Sequence, residues 1–108
     1  MKENIKPRNK DGQRHGLWEW YYDNGNLWSK GNYINGDKDG QWEWYYDNGK
    51  LFYKGYYING SQDGPWGVYY DNGNLWSKGN YINGDKDGLW EYYNYYDNGK
   101  LDSKKYYI

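Results

Sequence analysis

The chain has no cysteine, no alanine and no threonine, and its one valine is Val68. Without cysteine there is neither disulfide nor thiolate chemistry. The absence of alanine, alongside 16 glycines, removes the composition that sustains helices and leaves strands and turns. Neither sign of charge prevails. Fourteen basic and fifteen acidic residues nearly cancel, so the basic surface that displaces counterions from nucleic acid is lacking and DNA or RNA is not expected as a partner. Long apolar runs are also missing; Met1–Arg14 holds nothing like a signal peptide, and a cytoplasmic location is the expectation. One histidine and four serines, Ser29, Ser61, Ser77 and Ser103, offer no constellation of nucleophile and base, so no catalytic residue is assigned.

What the chain has is rings. Its mean hydropathy of -1.47 would ordinarily signal disorder, yet disordered chains are poor in aromatics, and here 24% of residues are aromatic, with 8 Trp and 17 Tyr against a single Phe. At 108 residues, one domain, compact or elongated, is expected.

Trp18, Trp42, Trp66 and Trp90 recur every 24 residues, each two places after Gly16, Gly40, Gly64 and Gly88. The segment Tyr21–Gly40 reappears unchanged as Tyr69–Gly88, which points to duplication of a two-unit block. Each unit reads G-x-W-x-x-Y-Y-D-N-G-x-L-x-x-K-G-x-Y-I-N-G-x-x-D. The repeats are placed at about 16–39, 40–63, 64–87 and 88–108, behind an N-terminal cap of residues 1–15.

The Asn-Gly pair within Asp23-Asn24-Gly25-Asn26 is a strong hairpin signal, because both central residues of a type I′ turn need positive φ. With Asn24 and Gly25 as the turn, Tyr22 faces Leu27, Tyr21 faces Trp28, Trp20 faces Ser29, Glu19 faces Lys30 and Trp18 faces Gly31. One face then collects Trp18, Trp20, Tyr22, Leu27, Ser29, Gly31 and Tyr33, letting each repeat Trp flatten over the glycine opposite, at Gly31, Gly55 and Gly79. The other face pairs Glu19 with Lys30 and Glu43 with Lys54, while Gly67 interrupts the charge pairing in the third unit. Asn35–Gly40 is expected as a longer, Asx-rich turn, with Tyr33 facing Trp42 across it. The predicted fold is all-β: an elongated single-layer antiparallel sheet of consecutive β-hairpin repeats, roughly 40 Å long at about 4.8 Å per strand. Rings stand in for the core that a one-layer sheet cannot build. At the ends, Lys6, Pro7, Arg8 and Lys10 are expected on a preceding edge strand. Lys104 and Lys105, the latter at the glycine position, are expected to break the last strand and protect the edge. Two extra residues within Tyr92–Tyr96 lengthen the last hairpin or form a bulge.

G-x-W-x-x-Y-Y-D-N-G-x-L followed by K-G-x-Y-I-N-G-x-x-D-G resembles the MORN-like repeat variant of bacteria and their phages, from about Gly12 to the C-terminus. The resemblance implies consecutive hairpins in one elongated sheet. It also implies binding: many bacterial members are labelled antitoxin components, and eukaryotic MORN proteins are associated with membrane junctions, phospholipid headgroups and scaffolding.

His15 stands where later units have Asp39, Asp63 and Asp87, and reads as a solvated loop residue. Asn35-x-Asp37-x-Asp39-Gly40 imitates the first half of a calcium loop, but the twelfth position holds Tyr46 instead of a bidentate Glu, so no metal or other cofactor is expected. Trp18, Trp42, Trp66 and Trp90 read as structural. Positions that vary between units are the contact candidates: Trp20, Trp44, Val68 and Tyr92 on one face, and Trp28, Phe52, Trp76 and Asp102 on the other. A protein partner, with a toxin or effector as the specific form, is the leading expectation. The alternatives are sugar or choline recognition, since these hairpins also resemble Gram-positive cell-wall-binding repeats, and binding to membrane headgroups, against which the near-neutral charge weighs. Self-association through aromatic faces or edges stays open.

Overall fold

The computed structural model describes residues 3–95 and 99–108. Eight strands follow one another: β1 (Gly16–Tyr21), β2 (Leu27–Ile34), β3 (Asp37–Tyr45), β4 (Leu51–Ile58), β5 (Ser61–Tyr69), β6 (Leu75–Ile82), β7 (Asp85–Tyr93) and β8 (Leu101–Tyr107). They form a single antiparallel sheet in chain order, with extents of 47 × 36 × 11 Å. The thin third dimension is that of one layer, as the absence of any covering segment predicts.

Two kinds of turn alternate, and their chemistry is the reverse of the sequence expectation. At Asp23-Asn24-Gly25, the Tyr22 carbonyl accepts the Gly25 N–H at 2.9 Å and the Tyr22 N–H donates to the Asn26 carbonyl at 2.8 Å. Gly25 alone takes positive φ, at 89°, so this is a three-residue loop closed by a left-handed glycine, not a type I′ turn. The Asn24 side chain accepts the Asn26 N–H at 2.9 Å, a local bond that favours this form. One residue must then be absorbed: Tyr21 faces Leu27, Trp20 faces Ser29, and Trp28 bulges out between them. Beyond the bulge the predicted partners hold, with Glu19 facing Lys30 and Trp18 facing Gly31. The same slip pairs Tyr45 with Leu51 and Tyr69 with Leu75. The expected Tyr21–Trp28 pair is therefore absent, Phe52 of the second unit likewise has no partner in the register with β3, and Leu27 lies with Tyr21, on the side away from Trp18. In the last hairpin Asn94 donates to the Lys100 carbonyl at 2.9 Å, so the two extra residues lengthen the loop; Tyr96 lies outside the described residues.

The type I′ turn occurs instead at Asn35-Gly36, where φ is 46° and 96°, with Ile34 facing Asp37. Asp37–Gly40 is thus strand, not turn, and Tyr33 faces Lys38 instead of Trp42. Between the pairs Lys30–Glu43 and Asn32–Asp39, Gly31 alone spans Gly40, Gln41 and Trp42. This bulge lowers the Trp42 indole across Gly31, so closely that a Cβ there would collide with the ring; Gly55 under Trp66 and Gly79 under Trp90 repeat the contact. Each glycine therefore seats the Trp of the following repeat, not the Trp that faces it within its own hairpin.

The core is the resulting file of rings. Trp18, Tyr33, Trp42, Trp66 and Trp90 are buried. Centroid separations of 5.2 Å for Trp18–Trp20, 6.2 Å for Trp20–Trp42, 5.6 Å for Trp42–Trp44 and 6.5 Å for Trp44–Trp66 carry the contact through the first three repeats. Tyr33 stands edge-on between Trp18 and Trp42, as Tyr81 does between Trp66 and Trp90. Each such pair contributes about 0.5–1.5 kcal/mol beyond burial. The indole N–H of Trp42 donates to the Asn32 carbonyl at 2.9 Å and that of Trp90 to Asn80 at 3.0 Å.

Both ends adapt this plan. Trp18 donates to the Pro7 carbonyl at 2.7 Å, and bridges Ile5–Glu19 and Arg8–Arg14 lay the N-terminal segment along β1 as a rudimentary preceding strand. Lys104 and Lys105 do not break β8, which is continuous from Leu101 to Tyr107; their side chains leave the backbone free to pair with β7.

Gly31→Ala is expected to destabilise the fold by roughly 2–3 kcal/mol, because the methyl overpacks against an indole that has backbone beneath it. Gly67→Ala, whose Cβ would find the Tyr69 ring no nearer than 3.4 Å, should change stability by about 0.5 kcal/mol or less. Urea unfolding followed by Trp fluorescence measures both.

Candidate functional site

The Asp-Asn-Gly ends of the hairpins are stitched together from repeat to repeat. The Tyr22 hydroxyl donates to the Tyr45 carbonyl at 2.6 Å, Tyr46 to Tyr69 at 2.7 Å and Tyr70 to Tyr93 at 2.6 Å. Asn24 and Asn48 amides reach the Asp47 and Asp71 carbonyls at 2.9 and 3.1 Å. Along this margin sit the bulged residues Trp28, Phe52 and Trp76, at 6.2, 4.7 and 6.0 Å from the Tyr22, Tyr46 and Tyr70 rings. Trp28 also approaches Trp20, at 6.3 Å, and Phe52 approaches Tyr53, at 4.8 Å. Without cross-strand partners, these rings form an aromatic margin instead of a separate stripe with Tyr21 and Tyr45. Trp28 and Trp76 are each 45% exposed.

On the tryptophan face, the chain's own cations cap the ring file. The Lys38 ammonium lies 5.0, 4.9 and 5.0 Å from the Trp42, Trp44 and Tyr57 rings. Arg14 covers Trp18 at 5.0 Å and Tyr33 at 5.4 Å, and Lys86 covers Trp90 at 4.7 Å and Tyr107 at 5.4 Å. The equivalent third position is Gln62. Burial, then the charge of Arg14, lowers the Lys38 pKa. For Lys86 burial acts the same way, but the Tyr92 hydroxyl at 3.4 Å and the neighbouring phenols outweigh it and the pKa rises. Burial, reinforced by the phenols of Tyr53, Tyr81 and Tyr33, pushes the Tyr57 hydroxyl up to about 12. A quaternary ammonium ligand at any of these three cages would have to displace a tethered cation. The recurrence of a long cation four places before Trp18, Trp42 and Trp90 was the available sequence signal.

The remaining polar groups serve turns and register. His15 Nδ1 accepts the Asn35 N–H at 3.1 Å, as Asp63 accepts that of Asn83 at 3.3 Å. Asp37 and Asp39 lie in extended β3, which does not wrap an ion as a calcium loop does, and among the described residues no three His, Cys, Asp or Glu gather as metal ligands. The ion pairs run between repeats, Lys30–Glu43 at 3.5 Å and Lys78–Glu91 at 3.8 Å. Within the first hairpin, Glu19 instead accepts the Tyr21 hydroxyl at 2.9 Å.

A family model described as MORN repeat variant matches residues 14–35, 38–59, 62–83 and 86–108. The chain belongs to the MORN repeat variant family. Each MORN segment begins at the capping position, Arg14, Lys38, Gln62 or Lys86, two residues before the frame drawn from the glycines. The family unit thus keeps Trp18, Trp42 and Trp90 with the cations that cover them. No curated protein matches the sequence.

The eight contact candidates of this MORN repeat protein do not converge. Trp20, Trp44 and Tyr92 belong to the ring file and its cages, whereas Trp28, Phe52 and Trp76 line the margin. Val68 faces Tyr53 where other units oppose Ser to an aromatic ring, as in Ser29–Trp44 and Ser77–Tyr92; its variation is a volume exchange. Asp102 is exposed on the edge strand β8.

Two measurements probe the cages. Lys38→Ala should cost about 1–2 kcal/mol in urea unfolding through lost cation–ring attraction and stem packing. The raised Tyr57 pKa is a stabilising term fully present below the unfolded value of 10.0 and lost as pH climbs towards 12. Stability should therefore fall between these limits by on the order of 1 kcal/mol from this half-buried group, after solvent screening. Tyr57→Phe should flatten that part of the alkaline decline, read by circular dichroism against tyrosinate absorbance.

Proposed function

We propose that this MORN repeat protein is a non-catalytic protein-binding module whose partner rests on the aromatic margin. The observation that carries the reading is the pair Trp28 and Trp76, 45% exposed at equivalent positions two repeats apart. Four strand spacings separate them by about 19 Å, a span suited to one protein surface, and Trp held at a fixed site is the residue interfaces use most for affinity. The tyrosine stitches behind them fix the margin before a partner arrives, which lowers the ordering cost of binding. Phe52 lies between them on the same margin, and Trp20 of the ring file backs Trp28 at 6.3 Å.

The partner in the finer form of this reading is a toxin or effector that the module neutralises. Affinity capture from the native host, with crosslinking and mass spectrometry, is expected to recover one stoichiometric protein through the margin. The Trp28→Ala, Trp76→Ala double variant should weaken its capture at least about tenfold while circular dichroism shows the sheet still folded. Equal capture by the double variant would remove the margin as the site. Co-expression should restore growth to cells poisoned by the captured protein; unchanged toxicity would sink the neutralisation reading alone.

A further inference from the structure

Across the face opposite the tryptophans, one paired position on every strand but β5 carries a charge of alternating sign. Glu19, Lys30, Glu43 and Lys54 follow one another from β1 to β4, and Lys78, Glu91 and Lys104 from β6 to β8. The one rung without charge is Gly67 on β5, which faces Lys54 on one side and Lys78 on the other. A carboxylate is missing there between two ammonium groups.

The vacancy is a cleft of about 440 Å³ whose lining includes Lys54, Lys78 and Glu91, with Tyr56, Tyr69 and Leu89 as apolar wall. Gly67 is itself buried, and a Cβ there would lie in ordinary contact beneath the Tyr69 ring, at 3.4 Å, so a longer side chain fits by turning that tyrosine aside. Lys78 leans towards Glu91, at 3.8 Å; Lys54 has no ion pair within 4 Å among the described residues, since Glu43 is held by Lys30. The contrasting cleft on the same face, about 280 Å³ beside Gly31, is lined by one lysine, Lys30, between Glu19 and Glu43. Its charge balance repels an anion, whereas that beside Gly67 attracts one.

We propose that the Gly67 cleft receives a glutamate or aspartate side chain of a protein partner, flanked by an apolar residue that packs on Tyr56 and Leu89. The incoming carboxylate completes the ladder between Lys54 and Lys78. This deepens the protein-binding reading, and rests on it, by giving the partner a chemical requirement.

The test is a nuclear magnetic resonance titration with the capped dipeptide N-acetyl-Glu-Phe-amide, whose only charge is the side chain. Amide shifts are expected at Gly67, Tyr69, Gly79 and Leu89, weakening as salt rises. N-acetyl-Gln-Phe-amide should bind at least about tenfold more weakly. Gly67→Glu supplies the missing rung in place, so it should abolish the shifts while leaving unfolding stability equal or higher. If that variant does not fold, the Lys54→Gln, Lys78→Gln double variant serves in its stead, with the same loss expected. Equal binding of the Gln peptide, or undiminished binding to a folded Gly67→Glu protein, overturns the proposal. Free 3-phenylpropionate binding as tightly as the Glu peptide would also overturn it, by assigning the cleft to small free acids. The titration needs no native partner, so its failure is distinct from a failed capture.

Discussion

The structure depends on an indole lying flat on a glycine of the preceding hairpin. A sheet one layer thick has nothing above it to bury apolar area against, so Trp42, Trp66 and Trp90 use the backbone at Gly31, Gly55 and Gly79. Any side chain at those glycines would lift the ring. The contact joins repeats, not the two strands of one hairpin, which is why the hairpins merge into a continuous sheet. It also accounts for the ends. Trp18 has no preceding repeat, and the Pro7 carbonyl receives its N–H. In the fourth unit Lys105 occupies the glycine position and faces Trp90.

The other devices stabilise that contact from two directions. From above, Arg14, Lys38 and Lys86 shield the rings while their own charge is held by the ring faces, so burial of a cation is offset by its cage. From the turn end, the Tyr22, Tyr46 and Tyr70 hydroxyls hold successive loops in step. Strands pair only with their neighbours in sequence, so stability accumulates from units and adjacent interfaces, as in other repeat arrays.

Against this regularity the third unit departs on both faces. Gln62 replaces the capping cation, Val68 compensates for Tyr53, and Gly67 removes the carboxylate rung. The Trp66 ring meets Gly55 through Cε3 and Cζ3, whereas Trp42 and Trp90 meet theirs through Cδ2 and Cε2. Volume exchange explains Val68. Gly67 has no such counterpart: it is buried beneath the Tyr69 ring, beside the cleft that Lys54 and Lys78 line.

Much of this was legible from residues alone. Periodic Trp and Gly, with Asn-Gly pairs and no helix-forming composition, determined strands, hairpins, one layer and the central pairing of Glu19 with Lys30 and Trp18 with Gly31. Turn type was not legible, because Asp-Asn-Gly and Ile-Asn-Gly both contain the pair that a type I′ turn favours; the Asn24 side-chain bond and the strand that follows decide between them. The resulting one-residue slip moved Leu27 to the other face and turned Trp28 outward to the margin. Sequence likewise determined that each repeat has a Trp and a Gly to match. Only the tertiary structure decided that the rings of Trp42, Trp66 and Trp90 rest on the glycine of the preceding repeat, since bulges and ring overlap arise between repeats and leave no mark in the spacing within one.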